Sequence, residues 1–180
     1  MSPSSYGPFT HLPFILQTYF DKIKNDHKCV VLSPDIGSNK LSQAYAKKLK
    51  IGFALIDKRR NAHNQSEIAH LVGNLEDRHV LIIDDMIDTA GTVTKAVDAL
   101  IDAGAKDVII AATHAVLSGP AVDRLKKSRV SEVVVTNTLP IPEENRFDNL
   151  TVLSIAPLLG RAIREVFEDG SVTSLFDGHS

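Results

Sequence analysis

The sequence predicts an α/β protein, a mainly parallel sheet covered by helices on both faces. Short runs of consecutive apolar residues recur along the chain, and strands buried on both faces of a parallel sheet look like this. Between them, apolar residues repeat at helical spacing. A length of 180 residues, 43% of them hydrophobic and 23% charged, suits one domain with a sizeable core.

Residues 1–9, with Pro3, Gly7 and Pro8 among serines, read as a loose lead-in to a domain over 10–180. Over residues 12–25, Leu12, Ile15, Leu16, Tyr19, Phe20 and Ile23 have helical spacing, and Pro13 suits a first turn. Cys29-Val30-Val31-Leu32, closed by Pro34, is the first buried strand. Leu41, Ala44, Tyr45 and Leu49 mark one face of a helix, and Phe53-Ala54-Leu55-Ile56 is the second strand. A polar stretch, 58–66, separates it from Val80-Leu81-Ile82-Ile83, the clearest strand in the chain. Val93, Ala96, Val97, Leu100 and Ile101 then define a helix ending near Gly104. Strands follow at Val108-Ile109-Ile110-Ala111-Ala112, Val133-Val134-Val135 and Val152-Leu153-Ser154-Ile155, with a short helix over 119–127. A closing helix carries Leu158, Leu159, Ala162, Ile163, Val166 and Phe167. In such sheets ligands bind beyond the carboxyl ends of the strands, so the loops after Leu32, Ile56, Ile83 and Ala112 are where chemistry is expected.

Several function classes are disfavoured. Twenty Lys+Arg against 22 Asp+Glu leave a net charge of −2, with no general pull toward nucleic acid or acidic membrane. No apolar run approaches the roughly 18 residues that span a bilayer. The first residues lack the basic-then-apolar pattern of a secretory signal. A single cysteine, Cys29, excludes an internal disulfide and a multi-cysteine zinc site, and fits a reducing, cytoplasmic setting. Within an apolar run, Cys29 is expected to be a small buried hydrophobe.

The most informative segment is Val80-Leu81-Ile82-Ile83-Asp84-Asp85-Met86-Ile87-Asp88-Thr89-Ala90-Gly91-Thr92. An apolar strand runs into two adjacent carboxylates, and a turn of small residues opens the next helix. Backbone N–H groups in such a turn, backed by the positive end of a helix dipole, form an anion cradle. Gly91 allows close approach of a ligand, and the Thr89 and Thr92 hydroxyls add donors. Acids beside a phosphate make sense when the ligand is a sugar phosphate, because carboxylates accept hydrogen bonds from ribose hydroxyls. The rival reading makes Asp88 a helix cap and Asp84-Asp85 solvated strand-end acids.

This segment resembles the ribose-5-phosphate-binding signature of the type I phosphoribosyltransferase fold, and is most similar to ribose-phosphate pyrophosphokinases. Ser33-Pro34-Asp35, Ile56-Asp57-Lys58-Arg59-Arg60, Ala112-Thr113-His114, Leu117-Ser118-Gly119-Pro120-Ala121 and Glu132-Val133-Val134-Val135-Thr136-Asn137 resemble that family too. So does the ending, Ala156-Pro157-Leu158-Leu159 with Ser171-Val172-Thr173-Ser174-Leu175-Phe176. The resemblance implies a phosphoribosyltransferase-like sheet and transfer of the diphosphoryl group of ATP to O1 of ribose 5-phosphate, giving phosphoribosyl pyrophosphate and AMP. It implies that Asp84, Asp85, Asp88, Thr89, Ala90, Gly91 and Thr92 hold ribose 5-phosphate. Asp35, Gly37 and Ser38 fall in the pyrophosphate loop, with Asp35 on Mg2+. Lys58 and Arg60 match a mobile catalytic loop whose cations stabilise the transferring group.

The resemblance covers only the carboxy-terminal domain of the family, from about Thr10 to Phe176. The amino-terminal domain supplies much of the ATP site, so a missing domain or a full-length synthase is an expected partner. Little or no activity is expected of this chain alone, and a homodimer is the expected assembly. Ser38 stands where the family has glycine, and Leu41 and Gln43 where it has arginines. A serine held at positive φ would cost about one kcal/mol or more, and Lys40 lacks the bidentate fork of arginine. These departures suggest a second reading, a non-catalytic subunit that keeps the ribose site. A third, a phosphoribosyltransferase, requires a hood over the base for which no segment remains. His114 is expected to be a hydrogen-bonded structural histidine, and His63 and His70 to face solvent.

Overall fold

The computed structural model describes residues 25–33, 39–60, 66–72 and 75–172, with Ile15, Tyr19, Phe20 and Ile23; for residues 39, 41, 55–60 and 66–72 it describes the backbone alone. In chain order the elements are β1 (Cys29–Ser33), α1 (Asn39–Leu49), β2 (Gly52–Arg60), β3 (Ser66–Val72), β4 (His79–Ile87), α2 (Gly91–Asp102), β5 (Asp107–Ala115), α3 (Ala121–Lys127), β6 (Glu132–Thr136), β7 (Leu150–Leu153) and α4 (Ala156–Phe167). The strands form one sheet in the order β3-β2-β1-β4-β5-β6-β7. Every neighbouring pair is parallel except β2 and β3. The expected α/β class, a mainly parallel sheet with helices, is therefore the observed one.

Alternation along the central strands divides the core between the two faces. Val30, Leu32, Val80, Ile82, Val108, Ile110, Val133 and Val135 pack on one side with Val93, Ala96, Val97 and Leu100 of α2 and Leu125 of α3. Val31, Leu81, Ile83, Ala111 and Val134 pack on the other with Tyr45, Ala46 and Leu49 of α1 and with Phe20. A strand covered on both faces needs apolar residues at every position, and the uninterrupted runs arise from this. Each fully buried Leu or Ile stabilises the fold by roughly 1.5–3 kcal/mol.

Several element expectations need correction. Residues 58–60 continue β2, where Lys58 pairs with Ile68 and Arg60 with Ser66 of β3, after a register shift between Asp57 and Lys58. An edge hairpin supplies its backbone partners locally, so no apolar run announces it. The buried face of α1 is Ser42, Tyr45, Ala46 and Leu49, whereas Ala44 is exposed. β4 runs four residues past Ile83, and β5 three past Ala112. The last strand ends at Leu153, and Ile155 is the N-cap of α4. On α4 only Leu158 is buried, while Leu159, Ile163, Val166 and Phe167 are exposed. Of the helix expected over 12–25, Ile15, Tyr19 and Phe20 are helical. Its other residues up to 22 lie outside the described ones, as do the lead-in 1–9 and residues 173–176 of the ending.

Candidate functional site

Strand order fixes where a ligand can bind. From β1 the chain goes through α1 to β2 and β3 on one side, then returns to β4 on the other side of β1. The sheet thus reverses direction between β1 and β4, the place where open parallel sheets leave a crevice at their carboxyl ends. The carboxyl end of β1 lies beside β4 there, since Leu32 and Ile82 are register partners, and β4 runs on to Ile87.

On the β4 side, the structure places the candidate residues within one strand end and one turn. Asp84 and Asp85 are half-buried and lie inside β4, Asp84 being paired with Ala112, rather than in the loop beyond it. The Asp85 N–H donates to Asp84 Oδ1 at 2.9 Å, which orients the first carboxylate. Met86 is 45% exposed and Ile87 buried, so Ile87 anchors the strand end in the core just before the turn. Asp88 and Thr89 are exposed. Ala90, buried, takes φ 58° and ψ 5°, a left-handed conformation costly for a residue with a Cβ.

α2 begins directly after Ala90, and no side chain caps it. The first N–H groups of a helix have no partner within the helix. The mouth of α2 therefore presents amides and the positive end of its dipole beside the Thr89 and Thr92 hydroxyls. Asp88 does not cap the helix, which removes the rival reading of that residue. Its Oδ1 instead accepts a hydrogen bond from the Ser118 hydroxyl. Thr94 bonds back through Oγ1 to the Ala90 carbonyl at 2.8 Å, and its N–H reaches the same oxygen at 3.1 Å.

A second loop closes on this turn. The Leu117 N–H donates to the Ile87 carbonyl at 2.9 Å, and the Ser118 N–H to the Asp88 carbonyl at 3.1 Å. Arg124 Nη1 donates to the Thr89 carbonyl at 2.9 Å. A Cβ on Gly91 would lie 3.1 Å from that same Nη1, so glycine leaves room for the guanidinium. The sequence pattern assigns Leu117-Ser118-Gly119-Pro120-Ala121 no task and does not mark Arg124. A serine and an arginine near a helix carry no spacing signal by themselves.

The remaining candidates are placed less fully. Asp35, Gly37 and Ser38 lie outside the described residues. Lys58 and Arg60 lie on β2 by their backbone, not in a loop. Leu41 and Gln43 belong to α1, with Lys40 and Gln43 exposed. His114 is half-buried in β5, level with Met86 of β4, and its Nδ1 lies 2.9 Å from Thr138 Oγ1, as expected of a structural histidine. His70 has only its backbone described, and His63 lies outside the described residues. Among the described residues no three His, Cys, Asp or Glu side chains are grouped to hold a metal ion, and no helix is long and apolar enough to cross a membrane.

A parallel sheet whose switch point carries an acidic strand end and an uncapped helix mouth defines an α/β domain of the phosphoribosyltransferase type. The solved purine phosphoribosyltransferase of Pyrococcus horikoshii shares this fold, with TM-score 0.50 and 17% identity over 78% of this chain and 83% of that one. Residues 60–177 match the phosphoribosyl synthetase-associated domain, and the chain belongs to that family. The ribose-phosphate pyrophosphokinase of Streptomyces coelicolor is 51% identical over 176 residues, covering 95% of this chain and 54% of that protein. That of Bifidobacterium longum is 48% identical over 178 residues, covering 95% and 52%. The crystal structure of phosphoribosylpyrophosphate synthetase from Mycobacterium smegmatis has TM-score 0.77 and 47% identity, over 86% of this chain and 50% of that one. The chain thus spans about half the length of the curated ribose-phosphate pyrophosphokinases it matches.

Proposed function

We propose that this chain forms the ribose-5-phosphate side of a ribose-phosphate pyrophosphokinase site. One observation carries the reading: two half-buried carboxylates near the end of β4, followed within five residues by a left-handed residue opening an uncapped helix. In this reading the amides of residues 88–92 and the α2 dipole hold the 5-phosphate, helped by Thr89 and Thr92. Asp84 and Asp85 accept hydrogen bonds from the ribose hydroxyls and so orient O1. Asp88 steadies the turn between them.

The reaction is attack of the O1 hydroxyl on the β-phosphorus of ATP. The hydroxyl gives up its proton, the bond from that phosphorus to the oxygen bridging to the α-phosphate breaks, and AMP leaves. Phosphoryl chemistry of this kind depends on positioning and charge compensation. Lys58 and Arg60 compensate charge on the transferring group, and Gly37 and Ser38 line its pyrophosphate end. Magnesium fits this donor set, because it needs only one or two carboxylates when substrate phosphates and water complete its six oxygens. Asp35 would hold it, and bound there it would neutralise phosphate charge. The reading includes a cytosolic setting, supported by a single cysteine that is free and buried, and a homodimer, which light scattering behind size exclusion reads directly.

Calorimetric titration tests the binding half of this proposal. Ribose 5-phosphate should release heat that ribose, lacking the phosphate, does not, and Asp84→Asn with Asp85→Asn should weaken the binding. No heat with ribose 5-phosphate would end the reading. AMP formation from ATP by the isolated chain should be slight or nil.

Ser38, Leu41 and Gln43 favour the second reading, a ribose-phosphate-binding subunit without turnover. Adding the chain to a complete ribose-phosphate pyrophosphokinase and following AMP release separates the two. A changed rate with no turnover by the chain itself supports the subunit.

A further inference from the structure

We propose that Ser118 and Arg124 are positioning residues which, from the adjoining loop and helix, fix the anion-binding amides of the 88–91 turn. The inference deepens the ribose-5-phosphate reading and rests on it for the identity of the anion. Three consecutive carbonyls, those of Ile87, Asp88 and Thr89, accept hydrogen bonds from Leu117 N–H, Ser118 N–H and Arg124 Nη1. The next, that of Ala90, accepts from Thr94.

In a trans peptide the C=O of one residue and the N–H of the next point in opposite directions within one plane. Holding these four carbonyls therefore sets four peptide planes. The N–H groups of Asp88, Thr89 and Ala90 are turned away from the 117–124 segment, and that of Gly91 away from Thr94. Amides fixed in advance cost no reorganisation when an anion arrives.

The clamp also accounts for two local features. Ala90 sits in a left-handed conformation that a free chain avoids, and the bonds on either side hold it there. Leu117 is likewise left-handed, at φ 50°, yet buried, so the clamping loop is itself anchored in the core. The Ser118 hydroxyl adds a bond to Asp88 Oδ1, which ties the side chain of the turn as well as its backbone. Arg124 is exposed, so its part is not core packing. Its guanidinium occupies the space beside Gly91.

The test compares the unmodified chain with Arg124→Met, Arg124→Lys, Ser118→Ala and Ser118→Thr. Two readouts are used: calorimetric affinity for ribose 5-phosphate, and amide hydrogen exchange without ligand at Leu117, Ser118 and Thr94, whose N–H groups hold the carbonyls of the turn. Arg124→Met and Ser118→Ala should each weaken binding about tenfold, the order of one hydrogen bond with a charged member, the guanidinium in one and the Asp88 carboxylate in the other. Ser118→Thr, which keeps the hydroxyl, should restore binding, and Arg124→Lys should recover it only in part. Exchange at Leu117, Ser118 and Thr94 should quicken in the weakened variants while the melting temperature stays put. Binding within twofold of the unmodified chain in both Arg124→Met and Ser118→Ala would overturn the clamp and leave the ribose-phosphate reading standing. If the unmodified chain itself binds no ribose 5-phosphate, that reading falls, and exchange decides the clamp alone: quicker exchange in Arg124→Met upholds it, and an unchanged rate overturns it.

Discussion

Cys29 opens β1 with 2% of its surface exposed, and burial, helped by the nearby Asp26 charge, pushes its thiol up to about 12 from an ordinary 9.0. Between these values the unfolded chain has released a proton that the folded chain still holds. The contribution of Cys29 to stability is therefore complete below pH 9 and is lost as pH climbs toward 12. Urea unfolding at pH 7.5 and pH 10 should show a fall in stability that Cys29→Ala reduces. A thiol reagent at pH 8 should leave the folded protein untouched, because the thiolate is the reactive form. Ala90 offers a second check at this scale. A β-branched side chain tolerates positive φ poorly, so Ala90→Val should cost about 2 kcal/mol of unfolding free energy. Ala90→Gly should stay within about 1 kcal/mol of the parent, since relieved strain offsets the added freedom of the unfolded chain.

At the scale of elements, the apolar stripe of α4 is where composition and burial part company. Leu159, Ile163, Val166 and Phe167 are 51%, 68%, 66% and 90% exposed, although they repeat at helical spacing. Ile163→Ser with Val166→Ser should change unfolding free energy by less than about 0.5 kcal/mol. Leu100→Ala, at a fully buried position on α2, should cost about 2–5 kcal/mol. A large loss in the double serine variant would contradict the exposure seen here. Periodicity states that a stripe exists and not which surface covers it. The same limit hid β3 and the outer half of β2, where backbone pairing rather than an apolar run makes the strand. It also misread α1, whose inward positions include Ser42 and Ala46 in place of Ala44.

For the whole molecule, the uninterrupted runs at 29–32, 80–83 and 108–112 were enough to predict the parallel sheet, because only burial on both faces allows them. The acidic strand end and the helix start over 84–92 are legible as local structure, because an apolar run gives way there to acids and small residues. The clamp over this turn is not, because Ser118 and Arg124 lie about 30 residues further on and meet the turn only through the pairing of β4 with β5. Binding of the sugar phosphate at this turn is the central claim, and backbone amide chemical shifts report it residue by residue. Titration with ribose 5-phosphate should move the amides of residues 84–92 first and furthest, with those of β6 and β7 unmoved. Shifts spread over other parts of the sheet, or none in the turn at saturating ligand, would contradict it.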